Sequence, residues 1–149
     1  MDKLSKRLAD IVEALPLKEN IRVLEIGCGP GGMAREISRR IGNGYILGID
    51  RSAKAIRQAI AGSQIEIETG KLFFKQAAVE KFELDPNEEL FDIAVAIRVG
   101  ALDGRYPQIE NQSLTNIAKA LKKDGRLFID GAKPLKEISL DPYRKNAEF

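Results

Sequence analysis

The sequence predicts an α/β protein: one domain over residues 1–149, a doubly wound and mainly parallel sheet with helices on both faces. Two observations carry that prediction. Short β-branched apolar runs alternate along the chain with stretches whose apolar residues return every three or four positions. The first run, VLEI at 23–26, is followed at once by GCGPGG, four glycines and a proline in six positions. In open parallel sheets a ligand sits beyond the carboxyl ends of the strands, where strand order reverses, and a glycine-rich turn behind the first strand marks that place.

Each element has its own warrant. Leu4, Leu8, Ile11, Val12 and Leu15 recur at helical spacing, which predicts a helix from about Lys3 to Leu15, stopped before Pro16. Ile21–Ile26 reads as a buried strand. Helical spacing returns at Met33, Ile37 and Ile41, with Gly42-Asn43-Gly44 ending the helix. Tyr45–Ile49 is a second strand closing on Asp50, and Ser52 is a helix N-cap. Ile56, Ala59, Ile60, Ser63 and Ile67 share one face up to Gly70, with Gly62-Ser63 as a candidate break. Leu72–Lys75 and Phe91–Ile97 are the third and fourth strands, separated by a charged, turn-like stretch holding a short helical piece. Leu114, Ile117, Ala118 and Leu121 mark a helix ended by Lys122–Gly125, and Arg126–Asp130 is the fifth strand. Gly131–Phe149 shows no clear period.

Composition narrows the chemistry. With 31% charged and 44% hydrophobic residues and a net charge of +2, the chain has the make-up of a folded domain, and its scattered Lys and Arg call for neither nucleic acid nor membrane. The lone Cys28 leaves no internal disulfide and fits a reducing, cytoplasmic setting. No apolar run is long enough to span a bilayer, and Met1 is followed by charged residues instead of a signal core. The chain has no histidine, which removes Ser-His-Asp and Cys-His catalysis and the commonest metal ligand, so no metal site is expected.

Glycine lets the backbone adopt positive φ and approach a ligand without an intervening Cβ. Gly27-Cys28-Gly29-Pro30-Gly31-Gly32 satisfies the dinucleotide pattern GxGxxG and equally an acid-x-GxGxG pattern beginning at Glu25. Asp50, at the end of the second strand, suits the two ribose hydroxyls in either case. An adenosine-bearing ligand follows, with NAD and S-adenosyl-methionine both open.

From Ile21 to Gly131 the chain resembles the class I S-adenosyl-methionine-dependent methyltransferases, whose fold is Rossmann-like. VLEIGCGPG looks like the family's first motif, ILGIDRSAKAI its ribose-binding acid and following helix, and FDIAVAIRVGALDG its fourth-strand motif. LTNIAKALKKDGRLFID looks like its helix, glycine turn and fifth strand. The resemblance implies S-adenosyl-methionine as cofactor. The backbone of Gly27, Gly29 and Gly31 would approach its methionine end beside Cys28, with Glu25 holding nearby amino or loop N–H groups. Asp50 would take the ribose, Arg51 would flank the adenine, and Arg98 would end the fourth strand at the cofactor, an arginine in need of a partner. The family's adenine-binding acid is replaced by Ala77, so the backbone of Ala77 and Ala78 is expected to read the base, with Gln76 and Glu80 as alternatives.

The stretch after the fourth strand is the expected substrate wall: Asp103 to orient a polar acceptor or act as base, Arg105 to bind an acidic one, Tyr106 to pack against it. It lacks the Asn/Asp-Pro-Pro-aromatic motif of amine-methylating relatives. The acceptor is therefore read as a small molecule. The family's C-terminal strand pair does not fit in the 19 residues from Gly131, so about five strands are expected. The fifth would be an open edge unless the tail or a second subunit, in a homodimer, covers it. The alternatives are a cofactor-binding module without activity of its own and an NAD-dependent oxidoreductase.

Overall fold

A computed structural model describes residues 4–131 and 133–144. Six strands form one sheet in the order β3-β2-β1-β4-β5-β6, all parallel except the last: β1 (Arg22–Ile26), β2 (Tyr45–Asp50), β3 (Leu72–Gln76), β4 (Phe91–Ala96), β5 (Leu121–Asp130) and β6 (Leu135–Ile138). The helices are α1 (Lys6–Ala14), α2 (Gly32–Ser38), α3 (Ala53–Ala61), α4 (Gln64–Glu68), α5 (Glu110–Ala120) and α6 (Asp141–Arg144), with 3-10 turns at Val79–Lys81 and Pro107–Ile109.

Strand side chains alternate between two cores, as the period of two requires. Leu24, Ile26, Leu47, Ile49, Ala94, Leu127 and Ile129 pack with Leu114 and Ile117 of α5. Val23, Ile46, Phe74, Val95 and Phe128 pack on the opposite face with Ile11 and Val12 of α1, Ile37 of α2 and Ile56 of α3. Glu25 shares the odd-numbered side of β1 with Val23, and so faces the layer of α1 and α2. Strand order reverses between β1 and β4, whose ends are in register at Ile26 and Ala96. That reversal opens the crevice behind the glycines.

Boundaries moved where local chemistry outweighed the apolar period. α1 begins at Lys6 instead of Lys3, because the Ser5 hydroxyl caps it by accepting from the Leu8 N–H. α2 ends at Ser38, short of the expected Ile41. The Ser38 hydroxyl donates to the Arg35 carbonyl, and Ile41 stays in the core while its carbonyl accepts from Asn20 and Gly44. The break at Gly62-Ser63 is real, and Ser52 caps α3 by accepting from Ala55. β5 starts five residues earlier than Arg126, in a segment whose pairing with β4 shifts register between Phe91 and Ile93.

The tail corrects the five-strand expectation. Leu135–Ile138 forms a sixth strand, antiparallel on β5, pairing Leu127 with Ile138 and Asp130 with Leu135. The edge that called for a cover is taken by the chain's own tail, and the expected homodimer loses the support that edge gave it.

Candidate functional site

The glycine loop is held by main-chain bonds that hand over from β1 to β2. Gly27 and Cys28 both donate to the Ile49 carbonyl, at 2.8 and 3.0 Å. Gly27 has φ +73, and a Cβ there would lie 2.9 Å from Val99. Gly29, at φ +55, has open space where its Cβ would be, which is the form of a cradle. Gly31, at φ +91, turns the chain into α2. Asp50 reaches across from β2: one carboxylate oxygen accepts from the Gly29 N–H at 2.9 Å, the other from the Ser52 N–H at 2.9 Å. Each oxygen keeps further acceptor capacity, and Asp50 lines the crevice.

Glu25 is the anomaly. It is only 4% exposed, and its Oε1 is buried without a hydrogen-bond partner. Burial first, then the charge of Asp50, pushes its carboxyl up to about 8, against the opposing pull of Arg35. No ion pair joins it to Arg35, whose Nη1 donates to the Pro30 carbonyl at 3.0 Å and the Ser63 hydroxyl at 2.9 Å. Cys28 is also buried. Desolvation and then Glu25 push its thiol far up, so it stays protonated and is no nucleophile.

Two clefts meet over the loop. One, of about 310 Å³, runs from Gly27 and Asp50 past Arg51, Ala77, Ala78 and Glu80 to the loop after β4 at Arg98–Ala101 and Tyr106. The other, of about 960 Å³, holds Glu25, Cys28, Gly29 and Arg35 and is roofed by the start of α1 at Leu4, Ser5, Arg7 and Leu8. Gly27 and Arg98 line both.

On the first cleft's wall, the Arg51 guanidinium grips the Glu80 carboxylate at 2.6 and 2.9 Å, and Gln76 donates to the Arg51 carbonyl at 3.2 Å. Gln76 and Glu80 are therefore occupied with Arg51. The Ala77 N–H is spent on the Asp50 carbonyl at 2.9 Å, which leaves Ala78 as the main-chain group with a free N–H. Buried Asn116 of α5 fixes this segment by donating to the Val79 carbonyl at 3.0 Å.

The substrate-side residues divide. Tyr106 lines the cleft with its ring against the bare backbone of Gly100, where a Cβ would collide with it. Asp103 and Arg105 line neither cleft. They bind each other at 2.9–3.1 Å, and that pairing holds the Asp103 carboxyl below its usual range. Arg98 is exposed, not buried as its place at a core strand implied. Its partners are on its main chain: its N–H donates to Asp130 at 3.1 Å and its carbonyl accepts from Arg105 at 2.9 Å. Sequence reasoning missed Arg7 and Ser5. Arg7 pairs with Asp130 at 3.1 Å, and nothing in its position within an apolar-periodic helix marked it.

Comparison with known proteins fits this geometry. Residues 17–147 match the family described as "Methyltransferase domain". YrhH of Bacillus subtilis, which carries a methyltransferase name, is 28% identical over 118 residues, covering 70% of this chain and 66% of its own length. The trans-aconitate 2-methyltransferase of Rhodopseudomonas palustris is 36% identical over 58 residues, 39% of this chain and 23% of that one. An S-adenosyl-methionine-dependent methyltransferase from Thiobacillus denitrificans, crystallised with S-adenosyl-homocysteine, superposes with a TM-score of 0.65 at 24% identity, over 85% of this chain and 48% of that one. The chain thus spans two thirds or less of the relatives it matches. A match over nearly the whole chain, on a sheet of this order with the glycine loop at its reversal, places the protein in the methyltransferase-domain family.

Proposed function

We propose that this chain binds S-adenosyl-methionine and transfers its methyl group to a small-molecule acceptor. The observation that carries the reading is the unpaired, buried oxygen of Glu25 beside the glycine loop. A buried carboxyl without a donor costs about 1–3 kcal/mol or more. An ammonium placed there supplies both donors and countercharge, and the amino-acid end of S-adenosyl-methionine carries one.

In this reading Gly27, Gly29 and Gly31 bring bare backbone to the methionine end. Asp50, already fixed by Gly29 and Ser52, accepts from the ribose hydroxyls. The base lies against Ala77 and Ala78, its edge read by the Ala78 N–H, with the Arg51–Glu80 pair at the rim. The bound cofactor supplies an already activated methyl group. What remains for the protein is alignment and exclusion of water, and alignment alone is worth about 7–11 kcal/mol in favourable intramolecular systems. Tyr106 and Arg98 form the wall on the acceptor side.

The lone, buried Cys28 supports a reducing, cytoplasmic setting, and among the described residues no helix is long and apolar enough to cross a membrane. A cofactor-binding module without transfer is the second reading, favoured by alanine at position 77 where relatives place an adenine-binding acid. Incubation with methyl-labelled cofactor and a panel of small acceptors separates the two. Label in an acceptor, abolished in Asp50→Ala, supports transfer; bound cofactor with no labelled product supports the module.

A further inference from the structure

Arg98 occupies the point where the two clefts join, and its backbone is unusual. It has φ +56, a left-handed conformation that non-glycine residues rarely adopt. Such strain costs on the order of 1–3 kcal/mol and persists only where neighbours over-determine it. Here they do so from both sides: Asp130 takes the N–H, and Arg105, itself locked by Asp103, takes the carbonyl. The guanidinium so placed is exposed at the mouth and has no carboxylate partner among the described residues.

Arg7 lines the same chamber from α1 and pairs with the other oxygen of Asp130, so a single acid sets both arginines. Arg35, the third guanidinium on this wall, is anchored away from the mouth by Nη1, which donates to the neutral Pro30 carbonyl and Ser63 hydroxyl. The facing acids are Glu25, matched above to an ammonium, and Asp130, matched to Arg7. Among the described residues, Arg98 is the guanidinium at the chamber mouth with no side-chain partner, carried on a backbone fixed by Asp130 and Arg105.

We propose that the acceptor is a small carboxylate anion gripped by the Arg98 guanidinium with Arg7 beside it, and that one of its carboxylate oxygens receives the methyl group. The inference rests on the methyl-transfer reading above. The guanidinium fork matches a carboxylate in shape and charge. The chemistry agrees, because among the described residues the acceptor side offers neither a histidine nor an unpaired carboxylate as base: the chain has no histidine, and Asp103 lies outside, bound to Arg105. An alcohol or ammonium acceptor must lose a proton; a carboxylate at neutral pH has none to lose. Its oxygen attacks the methyl carbon, a carbon–oxygen bond forms, and the carbon–sulfur bond breaks with its electron pair going to sulfur. The products are a methyl ester and S-adenosyl-homocysteine, and no proton moves.

The test titrates citrate and trans-aconitate into protein saturated with S-adenosyl-homocysteine, with uncharged trimethyl citrate as control. The charged probes bind and the control does not. R98Q weakens them by about tenfold or more, R7Q weakens them less, and R98K recovers part of the loss. Affinity for S-adenosyl-homocysteine in R98Q stays within about twofold of the parent, and label transferred to a charged probe is released by mild alkali, as from an ester. A tenfold loss of S-adenosyl-homocysteine affinity in R98Q would instead assign the guanidinium to the cofactor's own carboxylate and overturn the proposal. So would failure of every charged probe to bind the saturated protein, or an alkali-stable product. A parent protein that takes up no S-adenosyl-homocysteine overturns the methyl-transfer reading itself, a distinct result.

Discussion

Glu25 makes the empty protein less stable as pH rises and makes the loaded one possible. Its folded carboxyl titrates near 8, above the ordinary 4.5, so between those values the folded state binds more protons than the unfolded state. Stability therefore falls as pH climbs through that window, by up to roughly 1.4 kcal/mol per pH unit. Glu25→Gln removes the group: its melting temperature at pH 8 rises above the parent's and loses most of this pH dependence, as thermal scans from pH 5 to 8 will record. The same substitution weakens S-adenosyl-homocysteine by about tenfold or more, because a charged hydrogen bond is lost. A variant that is neither stabilised empty nor weakened in binding contradicts the role given to Glu25. Glu25 and Asp50 were legible in the sequence because each stands at a fixed offset from glycine or strand end. The pairing of Asp103 with Arg105 was not, since an exposed loop shows which residues are present and not whom they bind. Arg7 stayed hidden for another reason: one polar residue in an amphipathic helix looks like its solvent face.

Among the elements, the segment that faces the base depends on α5. Asn116 receives Gln112 on its carbonyl oxygen and donates to Val79, tying the 3-10 turn after β3 to a buried helix face. Asn116→Ala leaves the Val79 carbonyl with the Phe82 N–H as its remaining donor, at a cost of about 1 kcal/mol by denaturant titration. Because that turn follows Ala77 and Ala78, affinity for S-adenosyl-homocysteine falls as well; unchanged binding would show that α5 does not set this wall. At the other end of the ribose site, Ser52→Ala removes the α3 cap and costs about 1 kcal/mol by the same measurement. The elements themselves were largely readable, since β-branched runs and helical spacing reflect the buried faces directly. Their ends were not. Ser5 and Ser38 each bond a main-chain group through one hydroxyl, which the apolar period does not register.

At the scale of the molecule, one sheet carries both the site and its protection. β6 is short, with exposed Lys136 and Glu137, and Arg126 of β5 pairs with Glu137 across the ladder. Such charges discourage pairing with another chain. A chain cut after Asp130 exposes the ten-residue β5 and self-associates in sedimentation velocity more than the full chain; equal sedimentation would show that the tail is no shield. The doubly wound, mainly parallel sheet was predictable, because crossover rules leave little choice. The sixth strand was not, since four residues are too few to show a period. The central claim is that the crevice where β1 meets β4 holds an adenosine-bearing sulfonium between Glu25 and Asp50. Calorimetric titration with S-adenosyl-homocysteine tests it most directly. One molecule bound per chain, weakened by about tenfold or more in Asp50→Ala and not displaced by NAD, is the predicted result; no binding, or equal binding of NAD, contradicts it.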